Sequence, residues 1–197
     1  MSQLLALDIA ILPPADVGQR AVALSAGLPE SASQGLRLDD DHLPHITLSQ
    51  QFVAVSDLEP VLEAVARALA GQPPLLVPVT GGGGGGGKAV WMAIDRTLPV
   101  LSLHERVMDA LQPFERIEGD RSAFIESEAR PGDVRWVANY RVSSSGGAFN
   151  PHITLGHARR PPRVEPFTFE ASTVAACHLG RFCSCRRVLR QWSLRAD

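Results

Sequence analysis

The chain has 197 residues, of which 45% are hydrophobic and 20% charged, with a net charge of −2 at pH 7. That composition fits a packed globular unit, here taken as one domain over 1–197, and excludes a disordered one. A total charge so near zero supplies no global field to gather nucleic acid, and no apolar run reaches the roughly 20 residues of a membrane helix.

The opening stretch "LLALDIAIL" reads as a buried strand from Leu4 to Leu12, stopped by Pro13 and Pro14. With Asp8 inside it and no basic leader or small-residue cleavage site, it is expected to be a strand rather than a secretory signal. Val17, Ala21, Leu24 and Leu28 come next at helical spacing, and "HITLSQQFV" has the β-branched and aromatic content of a strand. Ser56 and Glu59 form a capping-box pattern ahead of an apolar stripe of Leu58, Val61, Leu62, Val65 and Leu69, which predicts a helix ended by Gly71.

A strand at "LLVPVT" runs into the glycines Gly81 to Gly87 and then "KAVWMAID". Gly82, Gly87 and Lys88 match the start of a phosphate-loop pattern, but Ala89 stands where Ser or Thr must hold magnesium, and the next element has the pattern of a strand, not a helix. The run is therefore expected to be a flexible hairpin connection. A second helix begins near Leu98 and buries Leu101, Val107, Met108 and Leu111, with His104 on its surface. Residues 115–149 are more polar; "RWVANY" suits a short helix or strand, and "SSSGGA" a mobile lead-in. "PFTFEASTVAACHL" and "RRVLRQWSL" close the chain as two strands. About seven strands and at least three helices, not strictly alternating, predict an α+β fold with largely antiparallel sheet.

Three cysteines, Cys177, Cys183 and Cys185, are too few and too uneven for a disulfide framework, which makes the cytoplasm the expected compartment. Neither Cys183 and Cys185 with His178, nor His42 beside Asp39, Asp40 and Asp41, has the spacing of a metal site, so no metal or cofactor is expected. Arginines 159, 160, 163, 181, 186, 187, 190 and 195 outnumber Glu165, Glu170 and Asp197 near the C-terminus, a basic face that suits a phosphate-bearing ligand or, more commonly, a solvated charged surface. Among the aromatics Trp91, Trp136, Tyr140 and Phe149, the last two precede a repeated motif and are the candidates for a lid or base-stacking platform.

That motif is "LPHITL" at 43–48, which recurs as "NPHITL" at 150–155. On a strand, residues i and i+2 share a face. His45 then sits beside Thr47, and His152 beside Thr154, while Ile46, Leu48, Ile153 and Leu155 face a core. Imidazole moves protons near neutral pH, and threonine donates a hydrogen bond without adding charge. Two such pairs face to face supply both a base for an attacking oxygen and an acid for a leaving one.

"PHITLSQQF" and "FNPHITLGH" resemble the paired His-x-Thr motifs of the 2H phosphoesterase superfamily, which includes 2′-5′ RNA ligase-like proteins and 2′,3′-cyclic phosphodiesterases. The resemblance extends from the opening strand through "VWMAI" to the closing strands. It implies two pseudo-twofold-related lobes of mainly antiparallel sheet with outer helices, sharing a central cleft. It further implies metal-independent opening of a 2′,3′-cyclic phosphate, on an RNA end or a small cyclic nucleotide, to a 2′-phosphate. His45 and His152 would be the acid/base pair and Thr47 and Thr154 the phosphate-oxygen donors, in a monomer. Gly156 and His157 replace the basic residue many relatives carry after the second motif, and Ser49, Gln50 and Gln51 come after the first. Hydrolysis is therefore favoured over RNA ligation. The alternative is a non-catalytic module that binds RNA ends or phosphorylated ligands in the same cleft.

Overall fold

The computed structural model describes residues 3–196; Met1 and Ser2 of the expected domain, and Asp197 of the C-terminal charge balance, lie outside the described residues. The elements are β1 (Leu4–Leu12), α1 (Ala15–Ala26), β2 (Ile46–Ala54), α2 (Leu58–Leu69), β3 (Leu75–Gly84), β4 (Lys88–Ile94), α3 (Leu98–Leu111), α4 (Pro131–Ser144), β5 (His152–Ala158), β6 (Phe167–Ala171), β7 (Thr173–Leu179) and β8 (Cys185–Ser193). The fold is α+β, with two four-stranded sheets in the orders β2-β1-β7-β8 and β5-β4-β3-β6. Every pairing is antiparallel.

Each half repeats one plan. An opening strand leads through helix to a motif strand that returns antiparallel beside it at the sheet edge: β1–α1–β2 in one lobe, β4–α3–α4–β5 in the other. The helices then cross over. α1 packs on β5, while α3 and α4 pack on β2, so each lobe's helices cover the other lobe's motif strand. One aliphatic core spans both sheets, joining Leu7 and Ile9 of β1 to Val90 and Met92 of β4.

The repeat extends into backbone geometry. β1 pairs Ala10 with Thr47 and Ile9 with Ser49, skipping Leu48; β4 pairs Trp91 with Thr154 and Val90 with Gly156, skipping Leu155. Each motif strand thus carries a β-bulge at the leucine after its threonine, which re-aims the residues beyond. Through it Gln50 keeps company with Thr47, and its Nε2 lies 3.4 Å from Thr47 Oγ1.

Several sequence expectations change. The glycine run is mostly strand: Gly81–Gly84 continue β3 and pair with β4, and only Gly85–Gly87 remain as the turn. The glycines are required sterically, because the Trp91 indole lies against the run and a Cβ at Gly83 would come within 2.3 Å of its Nε1. Helix α2 lacks the capping box: Asp57 is its N-cap with no side-chain cap bond, and the charges there are engaged by Arg116 on Asp57 and Arg190 on Glu59. "RWVANY" lies within α4, and "PFTFEASTVAACHL" divides into β6 and β7, giving eight strands among the described residues. His104 is fully buried, not on the surface. Its Nδ1–H donates to the carbonyl of the bulged Leu48 at 2.7 Å, and its Nε2 accepts from the Gly146 N–H at 3.2 Å. No described helix is long and apolar enough to cross a membrane.

The Trp91 contact makes the glycines a packing requirement. Gly83→Ala is expected to lower stability by about 1–3 kcal/mol, the usual cost of overpacking. Gly18→Ala in α1, where the added methyl meets nothing within 4 Å, should gain about 0.5–1 kcal/mol. Urea unfolding of the two variants checks both.

Candidate active site

The motif strands β2 and β5 touch where the two sheets meet, and beside that contact opens a cavity of about 520 Å³ lined by His45, Thr47, His152 and Thr154. The local reason is the proline in each motif. A residue before proline is pushed to extended backbone, and in both copies its carbonyl comes under the imidazole two residues on. His45 Nδ1 donates to the Leu43 carbonyl and His152 Nδ1 to the Asn150 carbonyl, each at 2.7 Å. A carbonyl only accepts, so in the neutral rings Nδ1 carries the hydrogen and Nε2 is left as the acceptor.

The environments of the rings differ. His45 Nε2 lies 3.7 Å from Oδ2 of the fully buried Asp8. That oxygen accepts from Thr47 Oγ1 at 2.8 Å and from Gln50 Nε2 at 2.7 Å. Burial raises the Asp8 pKa above the ordinary carboxylate value, against the opposing pull of His45 and the two hydrogen bonds. His152 instead packs 5.2 Å from the Trp91 ring. Burial lowers its pKa, helped by the nearby His45 and opposed by the Asn150 bond, so the ring favours its neutral form.

The remaining wall comes from α4 and the segment before β8. Trp136, 46% exposed, donates Nε1–H to Gln50 Oε1 at 2.9 Å and meets Tyr140 edge-on at 6.2 Å. Both line the cavity. Arg130 stacks 3.9 Å over the Phe182 ring and pairs with Asp133 at 2.7 Å. Burial opposes ionisation of Asp133, but bonds from Arg130 and the Phe182 N–H hold its pKa below the ordinary value.

The cavity thus gathers His45, Thr47, Tyr140, His152 and Thr154 of the expected residues. Phe149 lies elsewhere: at 4% exposure it stacks flat on His104, ring centroids 3.8 Å apart, which removes it as a stacking platform. Sequence reasoning passes over Trp136 in favour of Tyr140 and Phe149, and misses Asp8, Gln50 and Arg130 as site residues. The available signal is Asp8, a lone charge in the middle of an apolar strand. His157 occupies the place that Gln50 has in the other lobe and packs 5.3 Å from Phe182. His42 pairs with Asp39, apart from the cavity. Asp8, His45 and Cys185 bring ligand atoms within 4.8 Å of one another. Burial keeps that thiol protonated by raising its pKa, however, and Asp8 Oδ2 already takes two hydrogen bonds, so the donors fall short of a zinc set.

The sequence profile of the 2′-5′ RNA ligase superfamily matches residues 13–179. The chain belongs to this superfamily. No curated protein matches it in sequence. Among solved structures it is similar to E. coli LigT complexed with NADP+, at TM-score 0.62 and 17% identity over 98% of this chain and 99% of that one. It is also similar to a crystal structure described as a phosphoesterase, at TM-score 0.62 and 17% identity over 97% and 99%. TT0787 of Thermus thermophilus gives TM-score 0.57 and 19% identity over 98% and 100%. At these identities the structures speak for the fold, which is that of LigT, and the superfamily match makes the chain a member of the 2H phosphoesterases.

Asp133 braces one cavity wall through ionised bonds, and this fixes the sign of its pH effect. A depressed folded pKa contributes stability above the unfolded value that is lost as pH falls through the folded one. Asp133→Asn should therefore cost about 1–3 kcal/mol at neutral pH, with the difference from wild type closing in acid. Thermal unfolding across that pH range measures it.

Proposed function

We propose that the protein is a metal-independent phosphodiesterase that opens 2′,3′-cyclic phosphates, of RNA ends or small nucleotides, to 2′-phosphates. The observation that carries this reading is the matched pair of imidazoles: each has Nδ1 tied to a backbone carbonyl, Nε2 left as the working nitrogen, and a threonine beside it in the same cavity. The relatives add support, since E. coli LigT has been crystallised with phosphate and with 3′-AMP.

In this reading His152 is the base, because its half-buried ring favours the neutral form that can accept a proton. It takes the proton of a water as that oxygen bonds to phosphorus. His45, beside the Asp8 carboxyl, is the acid. It protonates the 3′-oxygen as the phosphorus–3′-oxygen bond breaks, leaving the phosphate on the 2′-oxygen. Thr47 and Thr154 hold the non-bridging oxygens. The half-exposed Trp136, more than Tyr140, offers a face to a nucleobase; base–aromatic stacking contributes about 1–3 kcal/mol. The cavity size suits a mononucleotide or the terminal nucleotide of an RNA.

Turnover of 2′,3′-cyclic nucleotides should survive EDTA, and the product should retain its phosphate on the 2′-oxygen. His45→Ala and His152→Ala should each cost roughly 10²–10⁴-fold in kcat or more, as loss of a positioned proton carrier does, with unfolding midpoints near wild type. Activity should fall in acid with a midpoint below 6.5, the ordinary imidazole value from which His152 is lowered, and His152→Ala should remove that limb. Wild-type rates in either variant would sink the assignment. Affinity for cyclic nucleotides without turnover would make the cleft a binding module.

A further inference from the structure

The two threonines, equivalent by motif, are not equivalent by surroundings. Asp8 opposes Gln50 across β1 and β2, whereas the corresponding partner of His157 across β4 and β5 is Ala89. The first motif therefore has a buried carboxyl behind it where the second has a methyl. Thr47 donates its hydroxyl proton to Asp8 Oδ2, while Thr154 faces Trp91 in register and no carboxylate.

A threonine hydroxyl has one proton. While Asp8 is ionised, that proton is committed to Oδ2 and is not available to an anion in the cleft. Gln50 cannot release it by turning over. Its Oε1 accepts from Trp136 Nε1, an indole N–H only donates, and so Gln50 must offer its amide N–H to Asp8. Thr47 can turn its proton to a ligand only if Asp8 itself carries a proton and donates it to Thr47 Oγ1. Asp8 Oδ1, buried and without a partner among the described residues, adds to the cost of keeping this carboxyl ionised. An arriving anion raises that cost further by like-charge repulsion.

We propose that Asp8 is a proton-linked positioning residue: when an oxyanion enters the cleft, Asp8 takes up one proton and donates a hydrogen bond to Thr47, whose O–H then turns to the anion. This rests on the phosphoester reading of the cleft and supplies the protonation state in which the first motif binds. The groups facing Asp8 are His45 just before β2, Cys177 on β7, Cys183 in the turn before β8, Cys185 at the start of β8, and Tyr140 on α4. Burial pushes the thiols of Cys183 and Cys185 and the phenol of Tyr140 up, which leaves them neutral. A signal specific to carboxyl groups separates Asp8 from His45 and Cys177.

Inorganic sulfate is the probe, because it keeps one charge state across neutral pH. Infrared difference spectra of the full chain, taken over a pH series with and without saturating sulfate, follow the protonated-carboxyl C=O stretch. The pH midpoint of one such band should move upward in sulfate, and Asp8→Asn should remove the band. Asp8→Ala, which copies Ala89 of the other lobe, should remove it as well and serves if the asparagine variant does not fold. Calorimetry should show that either variant lowers the slope of log sulfate affinity against pH by one proton, about tenfold per pH unit. An unmoved midpoint, a band that survives both substitutions, or sulfate that does not bind overturns the proposal. Cyclic-phosphate turnover is measured alongside. Turnover without the shifted band sinks the Asp8 proposal alone, whereas a shifted band without turnover upholds it and sinks the hydrolase reading.

Discussion

The cleft depends on the burial of four aliphatic side chains. Ile46, Leu48, Ile153 and Leu155 are all 0% exposed in the core shared by the two sheets, and fully burying such side chains is worth about 1.5–3 kcal/mol each. Because a strand alternates, fixing these residues inward fixes His45, Thr47, His152 and Thr154 outward. A register slip of one residue would move every functional group into the core. The crossed helices make the arrangement mutual, since each motif strand is held by helices that arise from the other lobe. Neither half of the site can be positioned without the other.

The bulges connect this packing to the chemistry. Each takes a leucine out of the ladder, and in β2 the displaced carbonyl of Leu48 becomes the acceptor for His104. The same imidazole accepts from Gly146 and stacks on Phe149, so one buried, neutral ring ties the back of the first motif to the loop that leads into the second. Burial lowers its pKa, which keeps Nε2 an acceptor. The "SSSGGA" segment, expected to be mobile, is held by this bond and by Arg96, which donates to the Gly146 and Gly147 carbonyls.

The legible part of the fold comes from local periodicity. β1 is read with its observed ends because Pro13 and Pro14 stop an apolar run, and α2 and α3 because their stripes repeat at helical spacing. The order of strands and helices carries the α+β class, and the paired motifs carry the central residues of the cavity. The features that escape such a reading depend on contacts distant in sequence. Gly81–Gly84 has the composition of a loop but pairs as strand with β4, and Gly83 and Gly84 are glycines because Trp91 takes the space a side chain would need. Phe149 and Trp136 are both aromatics near the site, and only the course of α4 and the position of His104 decide which is buried and which lines the cavity. His104 reads as a surface residue because a helix interior gives no hint of a bulge carbonyl waiting for a donor.

The departure from symmetry at Asp8 gives the site a direction that two identical motifs could not. A pair of equivalent imidazoles could exchange roles; a buried carboxyl behind one and an indole beside the other make them chemically distinct. Charge conservation in a low-dielectric cleft then links Asp8 to the ligand. In the proposed reaction, where His45 enters as the acid, the empty cleft is neutral with Asp8 ionised. An occupied one is neutral when the incoming anion replaces Asp8 as the counter-charge and Asp8 is protonated. Burying an unpaired charge is expensive in either state, so the favoured course is for the carboxyl to give up its charge as the phosphate brings one. In the proposed reaction the same exchange would turn Thr47 from a donor to the protein into a donor to the substrate, as the acid beside it meets a leaving oxygen.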